Sequence, residues 1–173
     1  MEISIRKFKK TDIPYKVKWI NDEKNNKYLH YELPLREDKT LLWFKSLDNR
    51  NDRVDFTITY NGEPAGLIGL LNIDNENKKA EYYVCMGSEK FKGKGIAKVA
   101  TDLLIKFGDE EIGLKKIYLY TEVENIQAQK LFESCSFKQE GLLKKDLVHN
   151  GENKDRYVYG LDVESYIQEI GAK

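Results

Sequence analysis

The chain is poor in cysteine and proline and has no excess charge of either sign. It contains two cysteines and three prolines among 173 residues. Cys85 and Cys135 lack the paired spacing of a zinc site or a redox motif, so we interpret both as reduced core residues. Because 29 lysines and arginines balance 29 aspartates and glutamates, a nonspecific nucleic-acid binder is disfavoured.

Long apolar runs are also missing. No segment approaches the roughly 18 apolar residues of a membrane span, and the opening MEISIRKFKK lacks the apolar region of a signal peptide. We therefore expect no membrane association and a cytoplasmic location. The length, with 40% hydrophobic residues, suits a single domain over residues 1–173 that can bury a sizeable core.

The order of the predicted elements is that of a mixed α/β domain. A short strand and two helices come first, followed by a hairpin, DFTITYNGEPAGLIGLLNI, that turns at Asn61-Gly62. The strand KAEYYVCM then leads into a helix, a strand and a second helix. A hairpin turning at Asn150-Gly151 and a short helix over residues 163–170 complete the pattern. Hairpins combined with a β-α-β-α segment predict the α/β (α+β) class, with a twisted mixed sheet flanked by helices.

The stretch EKFKGKGIAKVA, residues 89–100, concentrates glycine and lysine just before an apolar helical pattern. It fits neither a P-loop nor a Rossmann fingerprint, because a required glycine is missing from each. Gly93 lets the backbone turn, and Gly95 opens a helix whose N–H groups favour an anion. The stretch therefore predicts either a solvated turn or a seat for a compact anion such as a pyrophosphate. The nearby positive charges are Lys90, Lys92, Lys94 and Lys98.

Two motifs carry a family resemblance. Residues 90–95, KFKGKG, resemble the pyrophosphate loop of the GNAT superfamily of acetyl-CoA-dependent N-acetyltransferases, usually Q/R-x-x-G-x-G/A. The later segment NIQAQKLFESCSF is similar to the N-x-x-A-x-x-L-Y motif of that family and its G-F-like ending. The matching positions there are Asn125, Ala128, Leu131 and Phe137.

The resemblance covers roughly residues 1–162 and implies the GNAT fold, in which two neighbouring parallel strands splay apart. It implies acetyl-CoA as the cosubstrate, no metal, and direct attack of an acceptor amine on a thioester. A backbone N–H in the splay would polarise the thioester carbonyl. The implied cofactor-binding residues are Val84, Cys85, Met86, Lys92, Gly93, Lys94, Gly95, Ile96, Ala97, Asn125 and Phe132.

The resemblance breaks down at the proton donor. Many relatives carry a tyrosine after the leucine of the second motif, whereas this chain has Phe132, which cannot donate a proton. Glu81, on the strand that enters the splay, is the predicted general base, and Tyr120 or Tyr118 is the predicted substitute acid. The structural alternatives are an exposed glutamate paired with Lys79 and two tyrosines packed in the core.

The acceptor pocket is expected between the first two helices. The residues assigned to it are Tyr28, His30, Tyr31 and Glu32. His149, next to the second hairpin turn, is predicted to be a surface residue.

The sequence leaves two classes of acceptor open. The segment from Trp19 to Leu47 resembles both the polyamine branch of the family and the branch that acetylates amino sugars on nucleotides. A polyamine calls for acidic groups, which Glu32, Glu37 and Asp38 would supply. A nucleotide sugar calls for aromatic and basic groups, which Tyr28, Tyr31 and Arg36 would supply.

The sequence thus predicts an N-acetyltransferase that moves an acetyl group from acetyl-CoA to a small primary amine, either an amino-sugar nucleotide or a polyamine. Two alternatives remain: a protein N-terminal acetyltransferase of the ribosomal-protein type, and a non-catalytic CoA-binding module, which Phe132 favours. The last hairpin, rich in aromatic residues at 157–159, offers an edge for a homodimer.

Overall fold

A computed structural model describes residues 1–172, and Lys173, the last residue of the predicted domain, lies outside the described part. The chain forms seven strands and six α-helices within that range. The strands are β1 Ile3–Lys7, β2 Val54–Tyr60, β3 Glu63–Asp74, β4 Lys79–Met86, β5 Lys116–Glu122, β6 Lys138–His149 and β7 Glu152–Asp162. The helices are α1 Ile13–Asn21, α2 Glu23–Asn26, α3 Glu37–Ser46, α4 Ile96–Phe107, α5 Ile126–Ser134 and α6 Val163–Gly171.

All seven strands belong to one mixed sheet in the order β1-β2-β3-β4-β5-β7-β6. Every neighbouring pair is antiparallel except β4 and β5. These two parallel strands pair at only three positions and separate after Glu81 and Tyr118. The splayed strand pair implied by the family resemblance is therefore confirmed, and it lies at the centre of the sheet.

Successive side chains of β4 point to opposite faces of the sheet, so they pack into two different hydrophobic clusters. Ala80 and Tyr82 join the main core, where the Tyr82 hydroxyl lies 2.7 Å from Thr101 Oγ1 on α4. Tyr83 and Cys85 face the other way, toward a smaller cluster that contains Trp19 of α1. Helices thus cover both faces, as predicted. Across residues 1–172, each helix is too short or too polar to span a membrane.

Both predicted hairpin turns are confirmed. Asn61 and Gly62 have φ of 49° and 80°, and Asn150 and Gly151 have φ of 52° and 78°. Two successive residues with positive φ suit the tight turns that match the twist of the flanking strands, which is why asparagine and glycine occupy them.

Asp12 fixes the start of α1 to the sheet. Its carboxylate is 1% exposed and accepts hydrogen bonds from both terminal nitrogens of Arg6, at 2.7 and 2.8 Å. It also accepts from the Lys9 amide at 2.9 Å and from Thr57 Oγ1 at 2.8 Å. One side chain therefore ties β1, the turn before α1, and β2 together.

Replacing Asp12 with alanine is expected to lower the free energy of unfolding by about 3 kcal/mol, since it leaves Arg6, the Lys9 amide and the buried Thr57 hydroxyl without their acceptor. Urea denaturation followed by circular dichroism measures the change. Asp48→Ala is the control because Asp48 is exposed, and it is expected to stay within about 0.5 kcal/mol of wild type. Equal stability of the two variants would contradict this role for Asp12.

Candidate active site

A cavity of about 890 Å³ occupies the gap between the splayed strands. Its walls come from β4, β5, the loop before α4 and the first turn of α5. Because β4 loses its β5 partner after Glu81, backbone N–H and C=O groups of alternate residues over 82–86 face this gap without a strand to pair with. The predicted cofactor-binding residues that line the cavity are Val84, Cys85, Met86, Lys92, Gly93, Gly95, Ile96, Ala97, Asn125 and Phe132.

The glycines of the loop are required by the backbone. Gly93 and Gly95 both have φ of 72°, in the left-handed region, and a Cβ on either would meet nothing within 4 Å. Gly95 is the N-cap residue that directly precedes α4. The first N–H groups of α4 have no carbonyl partner within the helix, so they are free to bind an anion at the cavity mouth.

Most of the lysine charge around this loop is already paired. Three ion pairs form: Lys90 with Glu63, Lys92 with Glu89 at 2.6 Å, and Lys98 with Asp102 at 3.4 Å. Lys94 instead places its ammonium 5.6 Å from the centre of the Tyr60 ring, and it does not line the cavity. The backbone of the loop is therefore the main feature that would hold a phosphate.

Asn125 and Phe132 stabilise the cavity wall, the first by capping a helix and the second by packing in the core. The Asn125 side-chain oxygen accepts from the Ala128 amide at 3.3 Å and caps α5, which leaves its amide nitrogen for a ligand. Phe132 is 7% exposed and packs edge-on against Tyr82, with ring centres 5.9 Å apart. These contacts agree with the interpretation of Phe132 as a packing residue.

Cys85 lines the cavity but has the wrong chemistry for a nucleophile. Burial raises the pKa of its thiol to about 11, so it stays protonated at neutral pH. The geometry therefore favours direct transfer over a covalent acyl-enzyme on this residue.

Glu81 and Tyr120, the predicted base and acid, both line the cavity. Glu81 stands where the strand pairing ends, and its Oε2 accepts a hydrogen bond from Asn72 Nδ2 at 2.8 Å. The Tyr120 ring lies 4.7 Å from the Arg156 guanidinium and 5.8 Å from the Tyr118 ring. Their catalytic roles stay predictions.

A second group of titratable side chains lies farther along β5. Glu122, the last residue of β5, is only 3% exposed, and its Oε1 lies 2.9 Å from His149 Nδ1 and 3.8 Å from His30 Nε2. The two imidazole rings meet edge to face at 4.7 Å. The prediction that His149 is a surface residue is wrong, because its side chain is 17% exposed and bonded to a buried carboxylate.

This His30–Glu122–His149 cluster joins three distant segments of the chain, which is why the sequence analysis missed it. Burial lowers the pKa of His30, and the nearby charges of His149 and Arg156 add to the lowering while Glu122 opposes it. His30 is therefore neutral at pH 7 and able to accept a proton.

Two imidazoles and a carboxylate are also metal-ligand types, and these donor atoms all lie within 4.8 Å of one another. The positive charge of Arg156, close enough to influence His30, opposes a cation there. The expectation that the protein needs no metal stays a prediction.

A second cavity, of about 520 Å³, lies on the α1–α3 side of β4. Tyr28 and His30 line both cavities, as do Tyr83, Val84 and Cys85, so the two spaces meet along β4. Tyr31 lines only the second one. Three of the four predicted acceptor-pocket residues therefore come together.

The charged residues proposed for the acceptor pocket lie elsewhere. Glu32 is exposed and lines neither cavity. Arg36 forms a surface ion pair with Asp38 at 2.9 Å, and neither these two nor Glu37 lines the pocket. The basic residues that do line it are Lys16, Lys39 and Arg53.

Residues 2–138 match the family model described as an acetyltransferase (GNAT) domain. The chain belongs to the GNAT acetyltransferase family. Among the curated relatives of this GNAT protein, spermidine N(1)-acetyltransferase of Escherichia coli is 30% identical over 114 residues, which cover 66% of this chain and 60% of the relative. A putative ribosomal N-acetyltransferase, YdaF of Bacillus subtilis, is 32% identical over 110 residues, covering 62% of this chain and 58% of the relative.

The matched region thus spans about 60% of the length of these relatives.

Solved structures show the shared GNAT fold over nearly the whole chain. A spermidine N-acetyltransferase from Vibrio cholerae in complex with CoA and spermine superposes with a TM-score of 0.86, at 24% identity, over 95% of this GNAT protein and 98% of the other chain. A dodecameric structure of the V. cholerae enzyme gives a TM-score of 0.83 at 21% identity, over 96% and 97% of the two chains.

Proposed function

We propose that this GNAT protein transfers an acetyl group from acetyl-CoA to a primary amine of a small molecule by direct attack. The observation that carries the proposal is the gap between β4 and β5, with the glycine loop at its mouth and a second cavity on the other side of β4. One space suits the cofactor and the other suits the acceptor, and they meet along a single strand.

The unpaired edge of β4 would bind the pantetheine arm as an additional strand would, through alternate backbone groups. The diphosphate would sit on the first N–H groups of α4, where the helix dipole favours negative charge. A β4 amide in the gap would donate to the thioester oxygen and stabilise the oxyanion that forms during attack. Support for this placement comes from the open loop at Gly93 and Gly95 and from the superposed relative that contains CoA.

His30 is the residue best placed to take the proton from the attacking amine. Its ring borders both cavities, and it is neutral at pH 7. Glu122, held by His149, would then stabilise the imidazolium that forms, in the way that a buried carboxylate supports a catalytic histidine. Tyr120 remains the proposed donor to the departing thiolate, since Phe132 cannot serve.

The acceptor is an amino-sugar nucleotide or a polyamine. The names of the spermidine relatives favour a polyamine, whereas the aromatic and basic lining of the second cavity favours the amino sugar. The name of the B. subtilis relative keeps a ribosomal-protein N-terminus as the alternative acceptor. The V. cholerae relative forms a dodecamer. For this protein, a homodimer through the edge of the last hairpin stays a prediction.

A thiol-release assay with acetyl-CoA and a panel of amines tests the function. The panel contains spermidine, glucosamine, a 4-amino sugar nucleotide and an N-terminal ribosomal peptide. We expect CoA release with at least one small amine, at a rate at least about 100-fold above acetyl-CoA hydrolysis. Tight CoA binding by calorimetry without release on any acceptor would establish a binding module instead.

A further inference from the structure

Lys16 is a buried lysine whose ammonium has no hydrogen-bonded acidic partner, and Asp55 attracts it only from a distance. It lies on α1, is 4% exposed and lines the second cavity. Among residues 1–172, its ammonium forms neither a hydrogen bond nor an ion pair. The ammonium lies over the face of Trp43, 3.6 Å from the ring centre.

The aromatic contact does not fully stabilise this charge. A cation over an indole face gains some electrostatic energy, yet burial still lowers the pKa of Lys16 to about 8. An ammonium that remains this acidic is only partly compensated by its protein surroundings. An anion beside it would restore the charged form.

The rest of the pocket is electropositive as well. Arg53 lies 5.2 Å from the same indole ring, and Lys39 stands on the pocket wall. The carboxylate nearby, Asp55, already accepts two hydrogen bonds from Arg53 and one from the Tyr83 hydroxyl, at 2.6 to 2.7 Å. Aspartate and glutamate are absent among the described residues that line this cavity, so the space carries net positive charge.

We infer that the second cavity binds an acceptor amine that also carries an anionic group, a phosphate or a carboxylate, which pairs with Lys16 and Arg53. This inference rests on the proposed acetyl transfer and deepens it by naming the acceptor class. The anion would lie against Trp43 while the amine reaches His30, which borders both cavities. A polyamine fits poorly, because its distal ammonium groups would face Lys16 and Lys39 with no acidic residue on the described cavity wall.

Paired acceptors that differ by one anion test the inference. Glucosamine 6-phosphate is compared with glucosamine, lysine with cadaverine, and both pairs with spermidine. We expect KM to be about 10- to 100-fold lower for the anionic member of a pair, the range of one charge-assisted hydrogen bond. The first pair reports on phosphate and the second on carboxylate.

The Lys16→Met variant removes the charge but keeps the length of the side chain. It is expected to abolish most of the preference for the anionic member and to leave KM for acetyl-CoA within about twofold. Lys18→Met is the matched control, because Lys18 is an exposed lysine on the same helix. Thermal unfolding of both variants checks that the fold is retained.

A measurement on the wild-type protein avoids any folding defect of the variant. Glucose 6-phosphate lacks the amine and should compete with the acceptor, and its inhibition should weaken as pH rises through about 8, the pKa of Lys16. The other charged or titratable groups around Lys16 are Arg53, Asp55, Lys39, Cys85, Tyr31 and Tyr83.

Equal KM values within both pairs, or a preference for spermidine that Lys16→Met leaves unchanged, would overturn the inference while acetyl transfer stands. If none of the amines yields CoA, the proposed transfer fails instead. The anion site is then decided by calorimetry, with glucose 6-phosphate titrated into wild type and Lys16→Met in the presence of CoA. Binding that depends on Lys16 supports the site, and no binding to wild type refutes it.

Discussion

Glu122→Gln is expected to lower kcat by about 100- to 10,000-fold, the range of general acid–base catalysis. Glutamine has nearly the same shape as glutamate and can still accept a hydrogen bond from His149, so the three side chains of the cluster should keep their arrangement. It lacks the negative charge that would stabilise a protonated His30, 3.8 Å away. KM for acetyl-CoA should stay within about twofold, because Glu122 is not proposed to contact the diphosphate.

Three companion measurements make this prediction specific. Glu152→Gln removes a carboxylate that is 73% exposed on β7 and should leave kcat unchanged. In wild type, kcat/KM should fall as pH drops through the pKa of His30, which burial holds below its ordinary value; a protonated imidazole cannot accept the amine proton. If Glu81→Gln abolishes activity while Glu122→Gln does not, the base is Glu81.

Gly95→Val is expected to raise KM for acetyl-CoA by about 10- to 100-fold, with kcat at saturating cofactor much less affected. The Cβ of valine would meet no atom within 4 Å, so the effect comes from the φ of 72°. A β-branched residue avoids that conformation, and relaxing it would redirect the first amides of α4. Losing one or two charge-assisted hydrogen bonds to a diphosphate accounts for the size of the change.

The control for strain alone is Gly62→Val in the first hairpin. Gly62 has φ of 80° and nothing within 4 Å of its Cβ position. A valine there should strain the backbone as much as a valine at position 95, but Gly62 lies in the β2–β3 turn. It should reduce stability without changing KM for acetyl-CoA. A Gly95→Val protein that binds CoA as tightly as wild type in calorimetry would remove the loop from the cofactor site.

Local patterns predicted much of this fold because they rest on short-range chemistry. Asn-Gly pairs marked both hairpins, and the Gly93-x-Gly95 spacing marked the start of α4, since only glycine takes positive φ there without cost. Three of the four residues predicted for the acceptor pocket, Tyr28, His30 and Tyr31, line one cavity, and their binding role stays a prediction.

The parts that escaped prediction depend on pairing between distant segments. His149 is the last residue of a polar strand, β6, and precedes an exposed turn, so nothing nearby in the sequence indicates that it contacts Glu122. The burial of Lys16 could not be predicted from the sequence either, because a lysine on an amphipathic helix normally extends into solvent. For Glu122, strand alternation with Tyr118 and Tyr120 was a usable signal.

The alternation of β4 places this one strand between the two cavities. Its unpaired edge lines the first cavity, while Tyr83 and Cys85, which face the α1–α3 side, line both. On the proposed function, CoA and the acceptor would approach β4 from opposite faces and meet where Tyr83, Val84 and Cys85 line both cavities.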